Sequence, residues 1–410
     1  MSRSMSVSLL FTTLVAAFLG VGCRKSEEPA PTTTGTEQKV EAPAAETQEI
    51  KLGQTMPYSG PASAYGTIGK VHSAYFNKVN KEGGVNGKKV NLMSLDDSYS
   101  PPKTVEQIRK LVEQEHVVAV FQPLGTAANT AVHKYLNEKK VPQLFVSSGA
   151  DKWNDPKNFP YTVGFNPSYG LEGRTYAEFI LRKYPKAKIA VLYQNDDFGK
   201  DVLAGLKQGL GDKAKMIIAE ASYETSDPTV DSQILTLKGS KADMFINLST
   251  PKFSAQAIRK VYDSKWKVTQ IVANVGASIG SVLVPAGVER AIGVLTAGYF
   301  KEPNDPQYDN DPAMQEFKAF MKAEYPDGNP LESINVYAYI TAQTMHQVLK
   351  QCGDDFSSEN LLKQARSIKD FHPGLLDQVV NLNTSETDHA PVEQLIINKF
   401  NGKIYVPVES

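Results

Sequence analysis

Residues 52–66, LGQTMPYSGPASAYG, run from an apolar strand through a Gly/Pro/Ser/Tyr loop into a helix. The hydroxyls of Tyr58, Ser59, Ser63 and Tyr65 converge there with backbone N–H groups and a helix start. Such a set holds a small anion or a polar ligand head through hydrogen bonds and the helix dipole, without any catalytic residue. In open α/β sheets, loops at the carboxyl ends of parallel strands are where small ligands bind. An ordinary βα turn has the same composition, so the remainder of the chain has to decide between the two.

The other residues able to do chemistry point away from catalysis. Asp96/Asp97 and Asp196/Asp197 are paired carboxylates, yet adjacent residues of a strand face opposite ways, so neither pair is an acid–base dyad by itself. Helix capping and turn formation at strand ends suit them better. His72, His116, His133, His346, His372 and His389 show no metal-ligand spacing. A GxGxxG after a strand, a Walker loop and a GxSxG elbow are all missing from the sequence. The expectation is a binding protein with no metal and no cofactor, not an enzyme. A catalytic centre assembled from residues far apart in sequence is the alternative that such patterns do not reach.

Composition sets the partners and the compartment. Lys+Arg number 44 against Asp+Glu 45, a net charge of −1, which gives no basic field for nucleic acid. Residues 1–22 read as a secretory signal: Arg3 precedes the apolar run VSLLFTTLVAAFLGVG, which is short for a membrane span. Cys23 sits where bacterial lipoprotein precursors carry the cysteine that is lipidated, although Gly20 replaces the Leu usual three places before it. Residues 23–48 hold Pro, Thr, Ala and Glu and almost nothing to bury, which makes them a flexible leash. A periplasmic or cell-surface lipoprotein is expected. The other cysteine, Cys352, is expected as a buried small residue near a helix end.

From residue 49 the chain alternates short apolar runs with amphipathic segments. Strands are predicted in KLGQTMPY, KVNLMSLD, VVAVFQPL, PQLFVS, KIAVLYQ, KMIIAEASY, DMFINLS, TQIVANV and GVLTAGYF, with helical patterns between them. Near-continuous apolar strands interleaved with helices of period 3.6 imply parallel sheets covered on both faces. The pattern occurs twice, one series ending near Val146 and the other running from Lys188 to about Val275, with the turn-rich ADKWNDPKNFPYTVGFNPSYG between them. The predicted fold is therefore α/β, two doubly wound parallel-sheet lobes with a cleft between them. Helices return after GVLTAGYF, and a hairpin is predicted around Asn401-Gly402. Repeated crossings between lobes make a hinge that closes on a ligand.

In this order the segments PYSGPASAYG, NKEGGVNGKKVNLMSLDDSYSP, PLGTAANTAV, VPQLFVSSGA, KIAVLYQNDDFGKDVLAGLKQGL and DPTVDSQILTLKGSKADMFIN resemble the extracytoplasmic solute-binding proteins of ABC importers. The group is type I, which includes the leucine/isoleucine/valine-binding protein, and the resemblance covers residue 49 onward. It implies a three-strand hinge, with lobe one at 49–166 plus 298–375 and lobe two at 167–297 plus 376–410. It further implies capture of a small solute, delivery to a permease with its ATPase, and a monomer tethered to the membrane through Cys23. A ligand-sensing domain for a receptor partner has the same requirements.

Carried over by motif, Gly125, Thr126, Ser148, Gly149 and Ala150 are expected to hold a ligand carboxylate, with Tyr58, Ser59 and Tyr65 beside them. Tyr65 is expected over the ligand's side chain. Phe198 and the segment Asn247, Ser249 and Thr250 are expected to close from the second lobe. Asn274 or Val275 stands where amino-acid binders of this group carry an acid for the ligand ammonium. A buried ammonium with no anion is costly. Asp151, where Ser or Thr is usual, is expected to repel a carboxylate. The ligand is therefore expected to be a small carboxylate-bearing solute, either a branched-chain amino acid bound differently or an aromatic or organic acid.

Overall fold

Apolar runs bounded by turn residues become strands here because helices can cover both of their faces. The computed structural model describes residues 49–408. Residues 1–48, with the expected signal, Cys23 and leash, lie outside that range. The first sheet holds β1 (Ile50–Met56), β2 (Val90–Asp96), β3 (Ala119–Phe121), β4 (Gln143–Val146) and β5 (Thr162–Gly164). Its order is β2-β1-β3-β4-β5 and every pair is parallel. The return segments include α1 (Gly66–Lys81), α2 (Pro101–Arg109) and α3 (Thr126–Glu138).

After α4 (Tyr169–Lys183) the chain builds a second sheet from β6 (Ile189–Gln194), β7 (Ile217–Tyr223), β8 (Met244–Leu248), β9 (Thr269–Val272) and β10 (Leu295–Gly298). Between these lie α5 (Asp197–Leu210), α6 (Asp231–Gly239), α7 (Pro251–Asp263) and the short turns α8 (Val284–Ala286) and α9 (Val288–Ala291). The chain then returns to the first lobe as α10 (Pro312–Glu324), α11 (Ser333–Gln351) and α12 (Ser358–Ala365), with α11 packed on α1. It finally joins the second sheet as β11 (Ile396–Phe400) and β12 (Tyr405–Pro407), giving the order β12-β11-β10-β9-β8-β6-β7.

Three differences from expectation have physical causes. First, the second sheet is mixed, because β11 runs antiparallel to β10, and the hairpin expected at Asn401-Gly402 then adds β12 antiparallel to β11. The tight Asn401-Gly402 turn, with Gly402 at φ 101°, permits no other pairing of its two arms. Second, the aperiodic segment 150–170 contains β5, whose three buried residues are too few to show a period. Third, Leu376, Val380, Leu382 and Val392 pack in the core around β1 and α11, so the chain past 375 stays with the first lobe before it reaches β11. Cys352 is buried at the end of α11, and burial pushes its thiol up to about 12, so it is unreactive at neutral pH.

The order of each sheet reverses once, between β1 and β3 in the first and between β6 and β8 in the second. Such reversals leave crevices at the carboxyl ends of the strands, and the two open toward each other.

Candidate functional site

The loops after β2 and β6 show what the paired aspartates do. Asp97 accepts from the Tyr99 N–H at 2.9 Å and from the Thr104 hydroxyl at 2.8 Å. These bonds hold Ser98 and Tyr99 at φ 53° and 58°, a conformation that bulky residues avoid, and place the Tyr99 ring in the cleft. Asp196 caps α5, accepting from the N–H groups of Phe198 at 3.0 Å and Gly199 at 3.4 Å, and so fixes Phe198 in the opposite wall. Asp197 pairs with Lys152 of the first lobe. All four carboxylates are turn and cap residues or ion-pair partners. Among the described residues no His/Cys/Asp/Glu group has the arrangement of a metal site.

The cleft encloses about 80 Å³. A buried water needs roughly 10–15 Å³, so this space suits one small solute. Tyr65, Tyr99, Tyr169, Phe198, Tyr299, Phe300 and Tyr337 make most of the wall, with Ile68, Leu124, Val275 and Ile334. Gly125, Thr126, Ser147, Asn166, Thr250, Asn274, Ser278 and Ser333 supply its polar groups. None of these residues is charged.

At one end of the cleft α3 begins without a side-chain cap, because its N-cap is Gly125 at φ 104°. A Cβ there would lie 2.8 Å from the Tyr99 ring, so glycine is required twice over. The first-turn N–H groups of an uncapped helix have no partner within the helix, and here they begin where Gly125 and Thr126 line the cleft. Behind them the Thr126 and Ser148 hydroxyls are 2.7 Å apart, and Ser148 Oγ accepts from Trp153 Nε1 at 2.9 Å. The Tyr337 hydroxyl donates to Asn166 Oδ1 at 2.8 Å and accepts from Gln122 Nε2 at 2.9 Å, which stiffens the floor.

Besides the Lys152–Asp197 pair, hydrogen bonds cross from lobe to lobe. The Tyr65 hydroxyl, kept protonated by burial, donates to the Val275 carbonyl at 2.6 Å. Glu332, at the start of α11, accepts from the hydroxyls of Ser278 and Ser281 in the loop after β9.

Of the residues singled out by sequence, the structure brings Tyr65, Gly125, Thr126, Phe198, Thr250, Asn274 and Val275 into the cleft wall. The others lie elsewhere. Tyr58 bonds Ser94 at 2.6 Å, and Ser59 bonds Asp96, so both hydroxyls fasten the loop to β2. Ser148, Gly149, Ala150 and Asp151 line a separate 20 Å³ recess near His389. Asp151 accepts from the Gly170 N–H at 3.1 Å and does not reach the cleft, so the expected repulsion of a carboxylate has no place there. Asn247 and Ser249 are buried behind the wall. Asn274 cannot supply negative charge: its amide donates to the Ala297 carbonyl at 2.6 Å, and its N–H to Glu172 at 2.8 Å. Sequence reasoning missed Tyr99, Tyr169, Tyr299, Phe300 and Tyr337. Tyr99, Tyr299 and Phe300 follow strands and Tyr169 opens α4, which was the available signal, whereas Tyr337 lies in the second turn of α11.

The model of one family, described as periplasmic binding protein, matches residues 49–403. The chain belongs to the periplasmic binding protein family. Among curated relatives, this binding protein is similar to the leucine-, isoleucine-, valine-, threonine- and alanine-binding protein of Pseudomonas aeruginosa, 24% identical over 46% of the chain. That match spans 50% of the relative, so the chain covers about half the length of this protein. In fold the binding protein is similar to a branched-chain amino acid ABC transporter protein from Thermus thermophilus with bound valine. There the TM-score is 0.80 at 18% identity, over 89% of this chain and 96% of the other. It is also similar to an ABC transporter solute-binding protein from R. palustris in complex with benzoate. The TM-score is 0.74 at 18% identity, over 88% of this chain and 96% of the other.

Proposed function

We propose that the protein is the extracytoplasmic substrate-binding component of an ABC importer, and that its solute is a small carboxylate with an apolar or aromatic body. The carrying observation is the uncapped start of α3 opening onto an aromatic wall that bears no charge. The helix end stabilises an anion without a cation, and the rings take the apolar body. Similar folds hold valine and benzoate, which share a carboxylate and differ in the ammonium. No acid stands in the cleft wall to pair an ammonium beside the carboxylate, which favours an aromatic or organic acid over a branched-chain amino acid. The two lobes, hinged by their crossings, close over the solute, and the closed form is what a permease and its ATPase would recognise. The protein works as a monomer tethered outside the cytoplasm through a lipidated Cys23, divided into lobes near residues 166 and 298.

A thermal-shift screen tests this. At a hundred times its dissociation constant a ligand stabilises by about 2.7 kcal/mol. Benzoates and short apolar acids should raise the melting temperature, and their amides should not. Equal shifts from benzoate and benzamide would remove the carboxylate from the proposal.

A further inference from the structure

Beside the cleft, and sharing Asn274, Ser278, Tyr299, Phe300 and Ser333 with it, lies a second cavity of about 40 Å³. No residue of α3 lines it, so it extends the cleft away from the uncapped helix start. Glu302, in the crossover after β10, is the one carboxyl in its wall. Its Oε2 is sealed from solvent and has no hydrogen-bond partner. No Lys, Arg or His lines the cavity. The adjacent Lys301 is already engaged by Asp311 at 2.6 Å and the Gly374 carbonyl at 2.8 Å.

The groups acting on Glu302 are acids and phenols. Burial, then Glu332 and Asp305, push its carboxyl up to about 8, and the phenols of Tyr299 and Tyr405 face the same space. A carboxyl in these surroundings is stabilised as an anion only when a cation joins it.

We infer that the side cavity is a subsite for a primary ammonium at the end of the ligand remote from its carboxylate, with Glu302 as the counter-ion. The inference rests on the carboxylate-binding role of the cleft and narrows it. The solute is a small acid with an apolar middle and a distal amine, such as an aminomethyl-aryl carboxylate or an ω-amino acid. The side cavity has room for about three waters by volume, which is the space of an ammonium and its methylene. Glu302 gives up its proton as the ammonium arrives, so affinity for the amine rises with pH up to about 8.

Calorimetric titration with para-(aminomethyl)benzoate and para-methylbenzoate, and with 5-aminopentanoate and pentanoate, tests this in the wild type and in Glu302→Gln. The wild type should prefer the amine of each pair by about tenfold near pH 8, roughly 1.4 kcal/mol, and by less near pH 6. Glu302→Gln should lose the preference while binding the amine-free probes as before, which shows that the fold and the cleft are intact. An amine preference that survives in Glu302→Gln, or a wild type that favours the amine-free probes, would overturn the subsite and leave carboxylate capture standing. Failure of all four probes to bind would remove both.

Discussion

The Tyr65 hydroxyl donates to the Val275 carbonyl at 2.6 Å, from the loop after β1 to the loop after β9, and ties one lobe to the other over the cleft. Both residues line the site, so a bond that joins the lobes also forms part of the cleft wall. One phenol thus serves both the contact between lobes and the wall of the cleft.

Tyr65→Phe keeps the ring and removes this bond. A neutral hydrogen bond contributes about 0.5–1.5 kcal/mol net. Solute affinity should fall by between about twofold and tenfold, and scattering should show the unliganded protein more open. Unchanged affinity and an unchanged radius of gyration would show that the bond does not hold the lobes together.

Gly125→Ala forces a side chain into φ 104° and toward the Tyr99 ring. Backbone strain of this kind costs about 1–3 kcal/mol. A lower melting temperature is expected together with loss of carboxylate binding. Adding Tyr99→Ala should relieve the contact but not the strain, recovering part of the stability and none of the binding.

Lys152 and Asp197 also pair across the lobes, but their side chains are 33% and 44% exposed. Exposed ion pairs contribute about 0–1 kcal/mol. Lys152→Ala should therefore change affinity by less than about fivefold, and less still in high salt. A larger loss would identify the pair as a true latch.

Stability should depend on pH from both sides. Burial holds His72 at about 3, and His133 and His346 at about 4, against an ordinary 6.5. Below pH 6.5 the unfolded chain takes up protons that the folded one refuses, so stability falls as pH drops toward 3. Glu302 acts in the opposite sense: its carboxyl stands near 8 instead of 4.5, so the folded state binds the extra proton and loses stability as pH rises through that interval. Thermal melts of the unliganded protein should peak on the acid side of neutrality. Glu302→Gln should flatten the decline from pH 6.5 to 8, and a decline unaltered by that change would place its cause elsewhere.

Much of the frame was legible because apolar runs such as IAVLYQ and MFINL carry enough residues to declare a buried strand. The Asn401-Gly402 turn likewise announced its hairpin. Thr162–Gly164 was hidden because three residues show no period and their pairing partner is given only by the fold. At the site, Gly125 and Thr126 were reached through the resemblance of PLGTAANT to the family's binding loop, and the uncapped start of α3 gives that match its physical reason. Tyr99 and Tyr299 in loops and Tyr337 in α11 did not, since an aromatic looks alike in sequence whether it faces a cleft or a core. Ser148 misled for a related reason: its hydroxyl is consumed by Trp153 and Thr126, a pairing no spacing reveals.

Every side chain in the cleft wall hangs from a loop or from the first turns of a helix, and the strands behind contribute none. Framework and palate are thus written in different stretches of the gene. A lineage can change its diet one exchange at a time while the architecture underneath stays as it was.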